Sequence, residues 1–169
     1  YKVEITRSNG PEKWFMLDDN IKNPVYSFDS TVFSDGSYRV RVTADDVRSH
    51  PVEDALTASL VSRPFVIDNS SPMLQALKTE SVAPTSAEGW KMVISGVAVD
   101  GESNVSALEY SMNTEDWFNF TSSDGMLDNN EEPFRLILKG SEGSLPSQVF
   151  IRVTDAQENV FTSTVRVEN

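Results

Sequence analysis

The residues best equipped for chemistry in this chain are its carboxylates. Asp68 and Asn69 lie in FVIDNSSP, Asp100 and Glu102 in AVDGES, and Asp155 and Glu158 in VTDAQEN. Oxygen-rich sets suit calcium, a hard cation that takes roughly six to eight oxygen ligands. Asp68, Asp100, Glu102 and Asp155 are therefore the metal candidates. The competing reading makes them turn residues, because Asp and Asn side chains bond their own backbone in turns. Paired carboxylates also serve glycoside hydrolysis, but that chemistry needs a cleft around them. His50, the one histidine, lies in RSHPVED beside Glu53 and Asp54. A catalytic base needs a nucleophile or substrate partner and an orienting group, and the sequence offers it only loop carboxylates. No catalytic residue is assigned. Trp14-Phe15 and Trp117-Phe118 have the chemistry of a sugar platform. Neighbours in a strand face opposite ways, so one of each pair is expected in the core and the other partly exposed.

Composition narrows the partners. The 169 residues carry a net charge of −12 and a pI near 4.4. Binding to nucleic acid relies on Lys and Arg neutralising phosphates, so nucleic acid is an unsuitable partner, as is an anionic membrane surface. There is no cysteine, which excludes disulfides, thiolate zinc sites and thiol catalysis. No cofactor is expected beyond the candidate calcium. The longest apolar run, MVISGVAV, falls far short of the ~20 residues of a membrane span. The chain opens at Tyr1 without a visible signal peptide, and reads as a segment of a longer protein.

The elements that must position these residues are strands. In SDGSYRVRVTADD (34–46), Tyr38, Val40, Val42 and Ala44 alternate with Ser37, Arg39, Arg41 and Thr43. That period marks a half-buried strand. SQVFIRVTDAQEN (147–159) repeats it, with Val149, Ile151 and Val153 inward and Arg152 and Thr154 outward. The match runs further: KWFML (13–17) with DWFNF (116–120), YKVEITRS (1–8) with ALEYSMN (107–113), and RPFVIDN (63–69) with TVRVEN (164–169). EDALTASL (53–60) is the one stretch that could form a helical turn. Two tandem all-β units are expected, 1–70 and 71–169, joined near Asn69-Ser70-Ser71-Pro72. PMLQALKTE (72–80) and WKMVISGVAVD (90–100) supply the second unit with two opening strands that the first lacks. A sheet short of two strands exposes an apolar face or an edge, which invites pairing with a neighbour or a second copy.

FSDGSYRVRVTADD resembles the end of a fibronectin type III or bacterial immunoglobulin-like domain. FVIDNSSP resembles the V-D-N-x-x-P linker between tandem repeats of that kind, and LEYSMNTEDWF with DGMLDNNEEPF is similar to the following repeat. The resemblance covers nearly the whole chain. It implies an all-β chain of two tandem Ig-like/fibronectin III-like β-sandwich domains, the first without its first two strands. It also implies a tyrosine-corner role for Tyr38, whose hydroxyl would bond backbone across the strand connection. Val149 stands at the matching position of the second unit, so no such bond is expected there. In a fibronectin-like sandwich the second–third and sixth–seventh strand loops share one end, where the linker also enters. That arrangement would gather Asp68 and Asn69 with Asp100, Glu102, Asp155 and Glu158. The DGMLDNNEEP loop (124–133) lacks EF-hand spacing.

The fold alone hosts many roles. The resemblance implies a non-catalytic spacer, scaffold or interaction module of a larger exported bacterial protein, extracellular, periplasmic or at the cell surface. Protein or polysaccharide partners, and self-association through the incomplete first domain, fit that role. Two alternatives stay open. One is the β-sandwich relay domain of a periplasmic propeller-type sensor, which YKVEITRSNGPEKWF with SDGSYRVRVTADD also resembles. The other is an accessory carbohydrate-binding module, which needs exposed Trp or Tyr side chains in line on one face.

Overall fold

The computed structural model describes residues 1–47, 49–51, 53–82, 89–140 and 145–166. It divides into two compact units, Tyr1–Asn69 and Ser70–Asn169. Both are all-β, built from antiparallel sheets. Among the described residues, no helix is long and apolar enough to cross a membrane.

The first unit is a single sheet. Its strands are β1 (Lys2–Arg7), β2 (Phe15–Asp18), β3 (Gly36–Asp45), β4 (Thr57–Val61) and β5 (Phe65–Ile67). They run in the order β2-β1-β3-β4, with β5 also pairing β3. The alternation in SDGSYRVRVTADD becomes β3, the central strand, with a neighbour along each side. EDALTASL forms no helical turn over its second half. Thr57–Val61 pairs with Arg41–Asp45 as β4, placing Leu60 opposite Val42. Long-range pairing overrides the weak local helix preference, as it commonly does for short segments. Ser62 keeps the ladder going past β4: its N–H donates to the Val40 carbonyl and its hydroxyl accepts from the Val40 N–H.

The core of this unit is small. Ile5, Tyr38 and Ile67 are buried, packed by Leu17, Phe28, Phe33, Val40 and Phe65. Phe33 stacks edge-on against both Phe28 and Tyr38 at 5.8 Å. Tyr38 donates its hydroxyl to the Ser34 carbonyl at 2.7 Å and accepts from Arg7 Nε at 3.1 Å. Away from that cluster the apolar face opens to solvent. The cross-strand row Val3–Val42–Leu60 is exposed by 6%, 39% and 78% toward the edge.

The second unit has two sheets. One is β10-β7-β6, from Glu131–Gly140, Trp90–Val99 and Met73–Val82. The other is β12-β11-β8-β9, from Val160–Arg166, Gln148–Asp155, Val105–Ser111 and Phe118–Phe120. Of the segment TVRVEN, residues 167–169 lie outside the described residues. The sheets share one core, in which Met92, Ile94, Leu136 and Phe134 meet Leu108, Val149, Ile151 and Val153. Strand β7 is central and buries Met92, Val93 and Ile94 in succession, which explains why its apolar residues follow no single parity. The row that matches Val3–Val42–Leu60 is Leu108–Val153–Phe161, exposed by 0%, 0% and 36%. A second sheet covers it, and the first unit has no such sheet among its described residues.

Candidate metal centre

The loops at one end of the second unit carry the candidate acids. The β7–β8 loop begins with Asp100, whose Oδ1 accepts from the backbone N–H groups of Glu102 at 2.9 Å and Ser103 at 2.8 Å. Its backbone N–H donates to the Asn130 carbonyl at 2.8 Å, anchoring the loop to the β9–β10 connection. The β11–β12 turn begins with Asp155, whose Oδ1 accepts from the N–H groups of Gln157 and Asn159, both at 2.8 Å. Its Oδ2 accepts from Asn159 Nδ2 at 2.8 Å. The Ala156 N–H donates to the Asn104 carbonyl, tying the two loops together.

Both carboxylates therefore do what turn residues do, and they also converge. Asp100 is 4% and Asp155 1% exposed, and each places a carboxylate oxygen within 4.8 Å of the other. Two like charges at that spacing repel by about 3.5 kcal/mol at an effective dielectric near 20. Asp100 Oδ2 is buried and has no hydrogen-bond partner among the described residues. No lysine or arginine among the described residues pairs with either acid. Oxygen donors of this type, without sulfur or imidazole, suit hard divalent cations.

The other candidates stand differently. Glu102 is exposed, and only its backbone N–H engages Asp100. Glu158 is an exposed turn residue with φ of +68°. Asp68 belongs to the first unit and is 8% exposed. Asn69 is held within the same unit, its N–H donating to Asp35 Oδ1 at 2.8 Å and its amide to the Phe33 carbonyl at 3.1 Å. His50 lies on the surface, 3.1 Å from Asp46 Oδ2, with its own loop as its partner rather than Glu53 or Asp54. The 124–133 loop is closed by acids in structural roles. Asp124 Oδ1 accepts from Met126 N–H, and Glu132 Oε1 accepts from the N–H groups of Asp128 and Asn129. Glu132 is 1% exposed, and nothing in the local pattern EEPF distinguishes it from its exposed neighbour Glu131.

The Trp-Phe pairs differ from the expectation that one member of each lies in the core. Neither residue of either Trp-Phe pair enters a core. Phe15 and Phe118 are each 54% exposed, while Trp14 and Trp117 are half-buried on the polar side of their sheets. Arg41 lies 4.3 Å from the Trp14 ring centroid and Arg152 lies 4.0 Å from that of Trp117. Each arginine also pairs across the strand with a glutamate: Arg41 Nε with Glu4 at 2.9 Å, and Arg152 Nε with Glu109 at 2.7 Å. These are the arginines of the repeated Arg-Val-Thr. The same Glu–Arg–Trp stack is built twice, and its signal in the sequence was the joint recurrence of Glu, Trp and Arg. Comparison with known proteins adds no external identity: no family model, curated protein or solved structure matches this chain.

Proposed function

We propose that the chain is a non-catalytic structural and interaction module, a spacer or scaffold, built of an immunoglobulin-like sandwich of the fibronectin type III kind, preceded by a unit that forms one sheet of such a sandwich without the sheet that would cover it. The strand order of the second unit supports that reading. Its first, second and fifth strands form one sheet and its third, fourth, sixth and seventh form the other. The fourth strand thus lies with the third, sixth and seventh, whereas an antibody constant domain places it with the first, second and fifth. The Tyr38–Ser34 bond supports the same reading for the first unit, since it spans the connection into a penultimate-type strand.

The observation that carries the function is the open apolar face of the first sheet. Val42 and Leu60 stand exposed beside a groove of about 780 Å³ lined by Tyr1, Val3, Tyr26, Phe28 and Val40. Burying a side chain such as Leu60 is worth about 1.5–3 kcal/mol, so a contact that covers this face is favourable. The occupant that fits is a second copy of the same face. Residues 1–69 hold eight Lys and Arg against eleven Asp and Glu, whereas residues 70–169 hold six against fifteen, so copies that meet through the first unit bring together the less charged part of an acidic chain. Sedimentation velocity of the whole chain from micromolar to sub-millimolar concentration tests this. A concentration-dependent dimer that Leu60→Lys abolishes is the expected result. A monomer throughout, or a dimer indifferent to that substitution, rejects self-association by this face.

A further inference from the structure

From the geometry of Asp100 and Asp155 we infer a binding site for a single hard divalent cation, calcium foremost, at one end of the second unit. This inference is independent of self-association and of the first unit's open face. Three observations carry it. The two carboxylates are almost fully buried, and each places an oxygen within 4.8 Å of the other. Asp100 Oδ2 is shielded from water and has no hydrogen-bond donor among the described residues. Backbone N–H groups hold Asp100 through Oδ1 alone, which turns its other oxygen away from the turn that Oδ1 closes.

A buried pair of like charges is retained when something compensates it, and a proton or a cation can do so. The surrounding chemistry favours the cation. Residues 70–169 hold six Lys and Arg against fifteen Asp and Glu, so the local field attracts positive ions. Two carboxylates leave most of a calcium coordination sphere to backbone carbonyls and water, which calcium tolerates in flexible arrangements. Magnesium demands stricter octahedral geometry and is the weaker candidate. Bound there, the ion would link the β7–β8 loop to the β11–β12 turn and hold that end of the unit rigid.

The experiment is thermal unfolding of the whole chain in EDTA and in millimolar calcium chloride at constant ionic strength, with calcium counted by native mass spectrometry. At a hundred times its Kd, a ligand specific for the folded state raises the midpoint of a unit this size by on the order of 10 °C. The expected result is such a rise in the second unit's transition with one calcium per chain. Asp100→Asn should abolish both, because asparagine keeps the Oδ1 acceptor and removes only the free carboxylate oxygen. Its fold is verified by an unchanged amide NMR dispersion. Glu102→Gln, an exposed acid in the same loop, should leave both intact. Absence of the rise in the unsubstituted chain, its persistence in Asp100→Asn, or an equal rise with sodium chloride each overturns the proposal.

Discussion

Replacing Arg152 by leucine tests why Arg-Val-Thr is built into both units. Arg152 donates to both oxygens of Glu109, at 2.7 and 2.9 Å, and its guanidinium lies 4.0 Å from the Trp117 ring centroid. Both acid and base are partly exposed, so the ion pair is worth about 0.2–1 kcal/mol, toward the upper end because it is bidentate. The stack on Trp117 adds about 0.5–1 kcal/mol. Arg152→Leu should therefore cost about 1–2 kcal/mol, read from urea unfolding at unchanged m-value. Double-mutant cycles separate the two contacts: Arg152→Leu with Glu109→Gln, and Arg152→Leu with Trp117→Leu, each with a coupling of about 0.5–1 kcal/mol. Near 1 M salt the first coupling should shrink as the pair is screened, and the second should shrink less. In the first unit the loss should be smaller, because Lys2 also reaches Glu4, at 3.3 Å, and remains when Arg41 is removed. Couplings indistinguishable from zero in both cycles would refute the idea that the stack is why this arginine recurs.

Gly140 pairs with Trp90, and a Cβ at Gly140 would lie 2.4 Å from the indole, so Gly140→Ala should destabilise the second unit by about 1–3 kcal/mol and lower its thermal midpoint. Gly101→Ala, where nothing lies within 4 Å, is the matched control and should move it little. Tyr38→Phe removes the bond to the Ser34 carbonyl and the acceptor for Arg7, so it should lower the first unit's stability by about 1–2 kcal/mol. An unchanged chemical-denaturation midpoint would show that water replaces both bonds. Acid should act on Glu4: burial opposes its charge, but hydrogen bonds from Arg41 and Lys2 outweigh that and hold its carboxyl below the ordinary 4.5. Its contribution is present above that ordinary value and is lost as pH falls through the lower folded-state value. Glu4→Gln should flatten the acid limb of the first unit's stability profile, and an identical limb in the variant would count against the assignment.

Alternation at period two is a local property, and so the strands were legible before any fold was known. Tyr38, Val40 and Val42 in β3, and Val149, Ile151 and Val153 in β11, needed only their own spacing. The turns were equally legible, because Asp, Asn and Gly close turns through bonds to residues two or three positions away. EDALTASL misled because its partner, Arg41–Asp45, lies more than ten residues upstream and local preference carries no knowledge of it.

The chemistry was half legible. That Asp100 and Asp155 are turn acceptors follows from residue type. Their convergence depends on the β7–β8 loop and the β11–β12 turn meeting at one end of the unit, across 55 positions of sequence. Residue type alone could not tell Asp100 from Glu102 or Glu132 from Glu131, because burial depends on which face of a strand or turn meets the opposing sheet. The tryptophans obey the same rule. Strand parity placed Trp and Phe on opposite sides, but the covering of Trp14 and Trp117 comes from arginines two strands away in the same sheet, on β3 and β11. Periodicity along the chain decides what each residue can do; which residues meet is decided by contacts between strands far apart in sequence, where no short-range pattern reaches.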